Sequence, residues 1–401
     1  MRNSIISLLI IVCSSFVSGQ DTLQLPPLLR FNDGSEVKSV RDWEKRRKEI
    51  RSIFENEVYG TAPVVPKNIK FRIVQEDKNA LNGKATRRLV NLYLNKLSNP
   101  VELLIYYPNK PGRVPAFLGY NFWGNYTITN EKEVPLTSLW VPDREKETDN
   151  RAKETMRGIR TNRWPVEMIV DAGYALVTLY SGDIDPDYDD GFDNGVHAIY
   201  KKEKYTWGTI AAWSWGLRCV MSYLEKDDKI NSEKVAVIGH SRLGKAALWA
   251  GATDERFALV ISNNSGCGGA ALSRRKQGET FTAINTRFPY WFCNNFKKYN
   301  DKEELLPVDQ HQLIALVAPR PVYVASADKD AWADPEGEFM SALLAGDVYR
   351  LYGLKDIGQK TMPEVEVPLH NGHVAYHIRS GKHDITRYDW QQYILFANKR
   401  L

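Results

Sequence analysis

The chain has 401 residues, enough to bury a large core as one enlarged α/β domain or as two domains. Its 54 basic and 49 acidic residues leave a net charge of +5 and are mixed throughout, so the concentrated basic footprint of a nucleic-acid-binding protein is missing. Hydrophobic residues at 43% and charged residues at 26% make an ordinary globular composition; eleven Trp and twenty Tyr suit either sugar-stacking platforms or a large core with aromatic loops.

Residues 1–19 read as an export leader. Met1-Arg2-Asn3 carries a positive charge, Ile5 to Val12 is apolar, and Val17-Ser18-Gly19 offers small residues for cleavage before Gln20. That run is too short to span a bilayer and no later run is long enough for a membrane span. Val12 before Cys13 fits a lipoprotein cleavage site poorly, so soluble export, to the periplasm or the medium, is expected. The mature chain keeps Cys219, Cys267 and Cys293, an odd number that permits one bridge, with Cys267–Cys293 the first pair to consider, or three unpaired core thiols. No Cys-x-x-Cys or His-Glu-x-x-His spacing occurs, and no metal is expected.

A helix is expected over Val40 to Tyr59, with Trp43, Ile50, Ile53 and Phe54 on one side. Arg88 to Leu94 and Val101 to Tyr107 read as strands joined by a turn, and Pro115 to Tyr120 as a buried strand running into the polar-aromatic loop Asn121 to Asn125. Residues 128–163 are highly charged and lack periodicity, which predicts an insertion or lid outside the core. Tyr174 to Tyr180 is another buried strand. The Asp-rich stretch from Asp183 to Asp193 lacks the EF-hand spacing and is expected to be a solvated loop. Helical periodicity covers Gly208 to Leu224, and Val235 to Ile238, Ala258 to Ser262 and Pro321 to Ala327 are short apolar strands. A last helix covers Tyr388 to Phe396. Strands alternating with helices predict a mostly parallel sheet covered on both faces, a three-layer sandwich with long loop insertions, and one domain over residues 20–401.

The most informative stretch is Lys234 to Ala250. An apolar strand meets Gly239-His240-Ser241-Arg242-Leu243-Gly244, and a helical pattern follows at once. Such a strand–turn–helix lifts a serine hydroxyl above the sheet and aims the amides of a helix N-terminus at a developing oxyanion. The second glycine stands three residues after Ser241, where the usual Gly-x-Ser-x-Gly elbow has it two after. Taken alone, Gly-His-Ser is also an ordinary turn.

A nucleophilic serine needs a base and a carboxylate to orient it, in the order Ser, Asp/Glu, His for this fold class. The strand Pro321 to Ala327 runs into Asp328, Asp330 and Asp334. Asp334 precedes Pro335 and reads as a helix cap. Asp330 is chosen as the acid, with Asp328 its rival. Four of seven histidines, His370, His373, His377 and His383, crowd the C-terminal region. His383 sits in a turn before the last helix and is chosen as the base, with His377 its rival; His240 must point away from the substrate.

These residues carry a resemblance. Gly239-His240-Ser241-Arg242-Leu243-Gly244-Lys245-Ala246 resembles the Gly-Cys-Ser-Arg-x-Gly-Lys signature of the glucuronoyl esterases, carbohydrate esterase family 15, in their bacterial form. Ser265-Gly266-Cys267-Gly268-Gly269, Phe288 to Cys293, Leu316 to Pro321, Trp332 to Pro335 and His383 to Thr386 agree, so the likeness runs from about residue 90 to the C-terminus. It implies an α/β-hydrolase that cleaves esters of (4-O-methyl-)glucuronic acid in lignin–glucuronoxylan, acting as a monomer without a cofactor. By the same resemblance Ser241 is the nucleophile, His383 the base, and Arg242 the oxyanion-stabilising arginine. Lys245, Glu279 and Trp332 are implied to contact the sugar. Two positions depart from the family: His240 replaces its cysteine, and Asn264 stands where some members carry the triad acid, which directs the choice to Asp330.

Overall fold

The computed structural model describes residues 23–94, 96–143, 148–200, 204 and 206–401; the leader expected at 1–19 lies outside the described residues. A nine-stranded sheet runs through the molecule in the order β1-β2-β3-β5-β4-β6-β7-β8-β9. β1 (Lys70–Ala80), β2 (Ala85–Tyr93) and β3 (Val101–Pro108) pair antiparallel, and β3 joins β5 (Ala175–Tyr180) antiparallel. From β5 onward all pairs are parallel, through β4 (Val114–Asn121), β6 (Ile230–His240), β7 (Leu259–Asn263), β8 (Val322–Ala327) and β9 (Val374–Arg379).

The parallel strands are short apolar runs because helices cover both faces and leave no solvated side for polar residues. One face packs under α1 (Val40–Phe54), α3 (Thr209–Leu224), α4 (Arg242–Thr253), α6 (Gln310–Ala315) and α7 (Pro335–Leu351), with α5 (Phe281–Arg287) in the same core, through Trp43, Phe54, Trp213, Leu217, Leu248 and Phe339. The other lies under α2 (Val166–Asp171) and α8 (Arg387–Arg400), through Ile169, Val170, Trp390, Tyr393 and Phe396. This is the three-layer α/β-hydrolase sandwich expected from the alternating pattern. Among the described residues, no helix is long and apolar enough to cross a membrane.

Several elements differ from expectation. The first helix ends at Phe54 and continues as a single π-turn over Glu55–Tyr59. β1 and β9 are strands beyond those expected: β1 is a solvent-facing edge strand, and β9 sets His377 and Arg379 among apolar residues, both buried against Asp389 of α8. The charged segment 128–163 is not wholly outside the core. Val134 and Val141 are fully buried, and Arg157 pins the segment by donating to the carbonyls of Glu131 and Val134, each at 2.8 Å.

Two local expectations are corrected outright. Cys267 and Cys293 are not bridged; all three described cysteines are free and buried, and the Cys293 thiol turns to the Asn56 carbonyl. The Asp183–Asp193 stretch is not a solvated loop in its first half. Asp183 is buried and accepts from the Glu102 amide at 2.9 Å, and Asp185 is buried between His197 Nδ1 at 2.8 Å and the Thr209 hydroxyl at 2.6 Å.

Candidate active site

The carboxyl ends of parallel strands are where loops converge and where a doubly wound sheet places its chemistry. Ser241 sits at the end of β6 with φ 57° and ψ −131°, a conformation disfavoured for any residue with a side chain. The turn is held because the Ser241 amide donates to the Asn263 carbonyl of β7 at 2.9 Å, while the Ser241 carbonyl accepts the Gly244 amide at 2.9 Å. Gly239 is obligatory: a Cβ there would lie 2.0 Å from the Leu243 carbonyl oxygen. Gly244, one place later than usual, packs where a Cβ would come 3.0 Å from the Gly239 carbonyl oxygen.

His383 and Asp330 meet in front of this turn. His383 Nδ1 lies 2.6 Å from Asp330 Oδ2, and the same oxygen accepts from Asn264 Nδ2 at 2.7 Å. Burial works against the charge of Asp330, but the His383 and Asn264 contacts outweigh it and hold the carboxyl below the usual range. Asp328, the rival acid, instead accepts from the Gly381 amide at 2.7 Å. His377, the rival base, is buried in β9 between the Tyr323 hydroxyl at 2.8 Å and Asp389 at 2.9 Å. His240 turns to Asn263, Nδ1 to Oδ1 2.6 Å, and packs its ring 4.6 Å from that of His383. Burial and the neighbouring His383 push the His240 pKa well down, so it stays neutral.

Ser241, Arg242, Lys245, Glu279, Asp330, Trp332 and His383 all line one open pocket of about 260 Å³, with Asn264, Arg287, Phe288 and Trp291 among its other walls. Lys245 is buried, and its ammonium donates to the carbonyls of Ser265 and Cys267 at 2.5 and 2.6 Å with Glu279 3.9 Å away. A buried cation requires such partners. Trp332 stands half exposed at the rim, and its carbonyl accepts the Glu279 amide at 3.0 Å. Gly278 has φ +66° and lies so close to this carbonyl that a Cβ would stand 2.4 Å from it, so a side chain at 278 would hold the two loops apart.

Two acidic groups of the site, Asp187 and Glu338, were not read from the sequence, nor was the contact that Asn264 makes. Asp187 grips Arg242, with Oδ2 2.5 Å from Nε, while its Oδ1 accepts from the Tyr290 hydroxyl at 3.0 Å and Trp291 Nε1 at 2.9 Å. The guanidinium also lies 4.5 Å over the Phe122 ring. The available signal was position, since Asp187 follows the carboxyl end of β5. Asn264 supports Asp330, as above. Glu338 of α7, fully buried, accepts the amides of Ser265 and Gly266 at 2.7 and 3.0 Å and the Ser326 hydroxyl at 2.6 Å. Burial, against those hydrogen bonds, pushes its pKa up to about 8. Through Ser265 it fixes the loop that holds Lys245. Among the described residues, no group of three or more His, Cys, Asp or Glu is arranged to hold a metal ion.

The sheet, its helices and the strand–turn–helix at Ser241 define an α/β-hydrolase fold, and known proteins narrow it further. The family described as "Glucuronyl esterase, fungi" matches residues 156–353. Carbohydrate esterase MZ0003, from an unknown prokaryotic organism, is 49% identical over 94% of this chain and 89% of its own length. The solved structure of a promiscuous CE15 esterase from a marine bacterial metagenome is 48% identical with a TM-score of 0.89, covering 94% of this chain and 97% of that one. That of a glucuronoyl esterase from Solibacter usitatus is 46% identical with a TM-score of 0.88, covering 94% and 98%. The chain belongs to the glucuronoyl esterase family, carbohydrate esterase family 15, and is a carboxylic-ester hydrolase.

Proposed function

We propose that this chain is an exported serine esterase that cleaves esters between (4-O-methyl-)glucuronic acid and an alcohol, as in lignin–glucuronoxylan cross-links. The observation that carries the reading is the convergence of Ser241, the His383–Asp330 pair, Arg242 and the buried Lys245–Glu279 pair on one pocket. A uronate ester puts the sugar on the acyl side, so sugar-binding groups belong beside the nucleophile. Lys245 follows Ser241 by one helical turn and has one ammonium proton left after its two carbonyls, enough for a sugar hydroxyl. Glu279 accepts from a second hydroxyl, and Trp332 offers a face to the ring.

In this mechanism His383 Nε2 takes the Ser241 proton as Oγ attacks the ester carbonyl. Asp330 fixes the tautomer by accepting from Nδ1 and stabilises the imidazolium. The tetrahedral oxyanion is held by the Arg242 amide at the helix N-terminus and by the Arg242 guanidinium, a charge-assisted addition to a site otherwise made of amides. Collapse expels the alcohol, protonated by His383, and leaves a glucuronoyl ester on Ser241. Water, deprotonated by His383, then releases the uronic acid and restores the serine. No cofactor takes part.

The test compares kcat/KM on benzyl or methyl glucuronate with that on acetylated xylose. A strong preference for the uronate ester, lost in Ser241→Ala, is expected. Preference for the acetyl substrate would make the protein a sugar-ester deacetylase, and full function of Ser241→Ala a non-catalytic carbohydrate binder. Export is tested by the mature N-terminus recovered outside the cytoplasm, expected at Gln20; a retained Met1 overturns it.

A further inference from the structure

Behind the pocket, out of reach of substrate, lies a buried ionic hub. Asp389 of α8 is fully buried, and its Oδ2 accepts from Arg379 Nε at 2.9 Å and from the Thr386 amide and hydroxyl at 2.7 and 2.8 Å. Its Oδ1 accepts from His377 Nε2 at 2.9 Å and Asn263 Nδ2 at 3.2 Å. Arg379, buried at the end of β9, spends its remaining donors on the turn that carries His383. Nη1 donates to the Ser380 carbonyl at 2.9 Å, and Nη2 to those of Lys382 and Asp384 at 2.8 and 2.6 Å. The guanidinium therefore fills the inside of the 380–384 turn and replaces the regular structure that a loop lacks. Asn263 closes the other side, because its carbonyl accepts the Ser241 amide and its side chain holds His240.

We infer that the Asp389–Arg379 pair is the positioning device of the reaction, setting the His383 turn and the Ser241 turn in register from behind. Neither residue touches substrate; a base and a nucleophile held in fixed positions on one pocket wall are what the pair supplies. Arg379 is suited to this because its planar fork serves several acceptors at once, and a lysine in its place keeps the charge but not the geometry. The inference rests on the assignment of His383 as base to Ser241.

Its test uses the full-length protein and a p-nitrophenyl phosphonate, which phosphonylates an activated serine with release of nitrophenolate and needs no sugar recognition. Arg379→Lys, with its melting transition retained, is expected to lower both the phosphonylation rate and kcat on glucuronate esters about ten- to hundredfold. KM should stay within about threefold, a split that general loosening of the pocket would not give. Asp389→Asn is expected to behave alike. Wild-type phosphonylation by folded Arg379→Lys, alongside an inert His383→Ala, overturns this inference alone. Wild-type phosphonylation by His383→Ala overturns the assignment of the base and this inference with it. Loss of folding in both Arg379→Lys and Asp389→Asn would make the pair a folding device and overturn it too.

Discussion

Two aspartate-rich loops leave the same end of the sheet, one after β5 and one after β8. Each lends one carboxylate to a basic side chain of the pocket, Asp187 to Arg242 and Asp330 to His383. The remaining aspartates differ in kind. After β8, Asp334 caps α7 through the Gly337 amide and pairs with Arg275, and Asp328 reaches across 53 residues to accept the Gly381 amide. After β5, Asp183 and Asp185 are buried far from water, and burial drives both carboxyls above the usual carboxylate range. A run of carboxylates is thus neither a metal site nor a solvated loop by default; each member is defined by the donor it meets.

The comparison breaks most sharply at Asp330. Asp330→Asn removes the carboxylate that fixes the His383 tautomer and supports its imidazolium, and should cost about 10³- to 10⁴-fold in kcat, read on a glucuronate ester. Asp187→Asn keeps an acceptor for Tyr290 or Trp291 but removes the charge that aims the Arg242 guanidinium, and should cost about ten- to hundredfold in kcat with a smaller change in KM. Equal losses at the two sites would erase the distinction between orienting a base and orienting an oxyanion partner.

A gentler probe is Glu338, which ties the loop after β7 to α7. Its carboxyl binds its proton more tightly in the folded state, so the stabilisation is complete below its ordinary value of 4.5 and is lost as pH rises toward about 8. Glu338→Gln removes this dependence. Its melting temperature relative to wild type should therefore climb between about pH 5 and about pH 8, and a constant offset would mean that folding leaves the Glu338 pKa unmoved. The smallest effect is expected at Asp328→Asn, where the amide oxygen still accepts from Gly381: a kcat loss of about threefold or less. A loss as large as that of Asp330→Asn would exchange their roles.

Much of this layout was legible in the sequence where local rules dominate. Strands β2 to β8 announce themselves as alternating or apolar runs, and the glycine at 239 is demanded by the turn itself. The elements that escaped are those whose character depends on a distant partner. β9 mixes apolar residues with His377 and Arg379, which a core strand admits only because Asp389 accepts from both. β1 lies at an edge where no second layer imposes an apolar pattern. Asp187 sits among loop aspartates of the same kind, and Glu338 reads as one more glutamate at the start of a helix; both are marked only by what they touch.

By itself, then, the sequence determined the parallel sheet, the serine at the end of β6 and the set of residues from which the site is drawn, because periodicity and turn chemistry act over a few residues. Only the tertiary structure decided which carboxylate serves which basic side chain. His383 reaches Asp330 across 53 residues and passes over nearer Asp389, which Arg379 and His377 already occupy. Such pairings depend on distances of a few ångströms and on burial, and neither quantity is set by position along the chain.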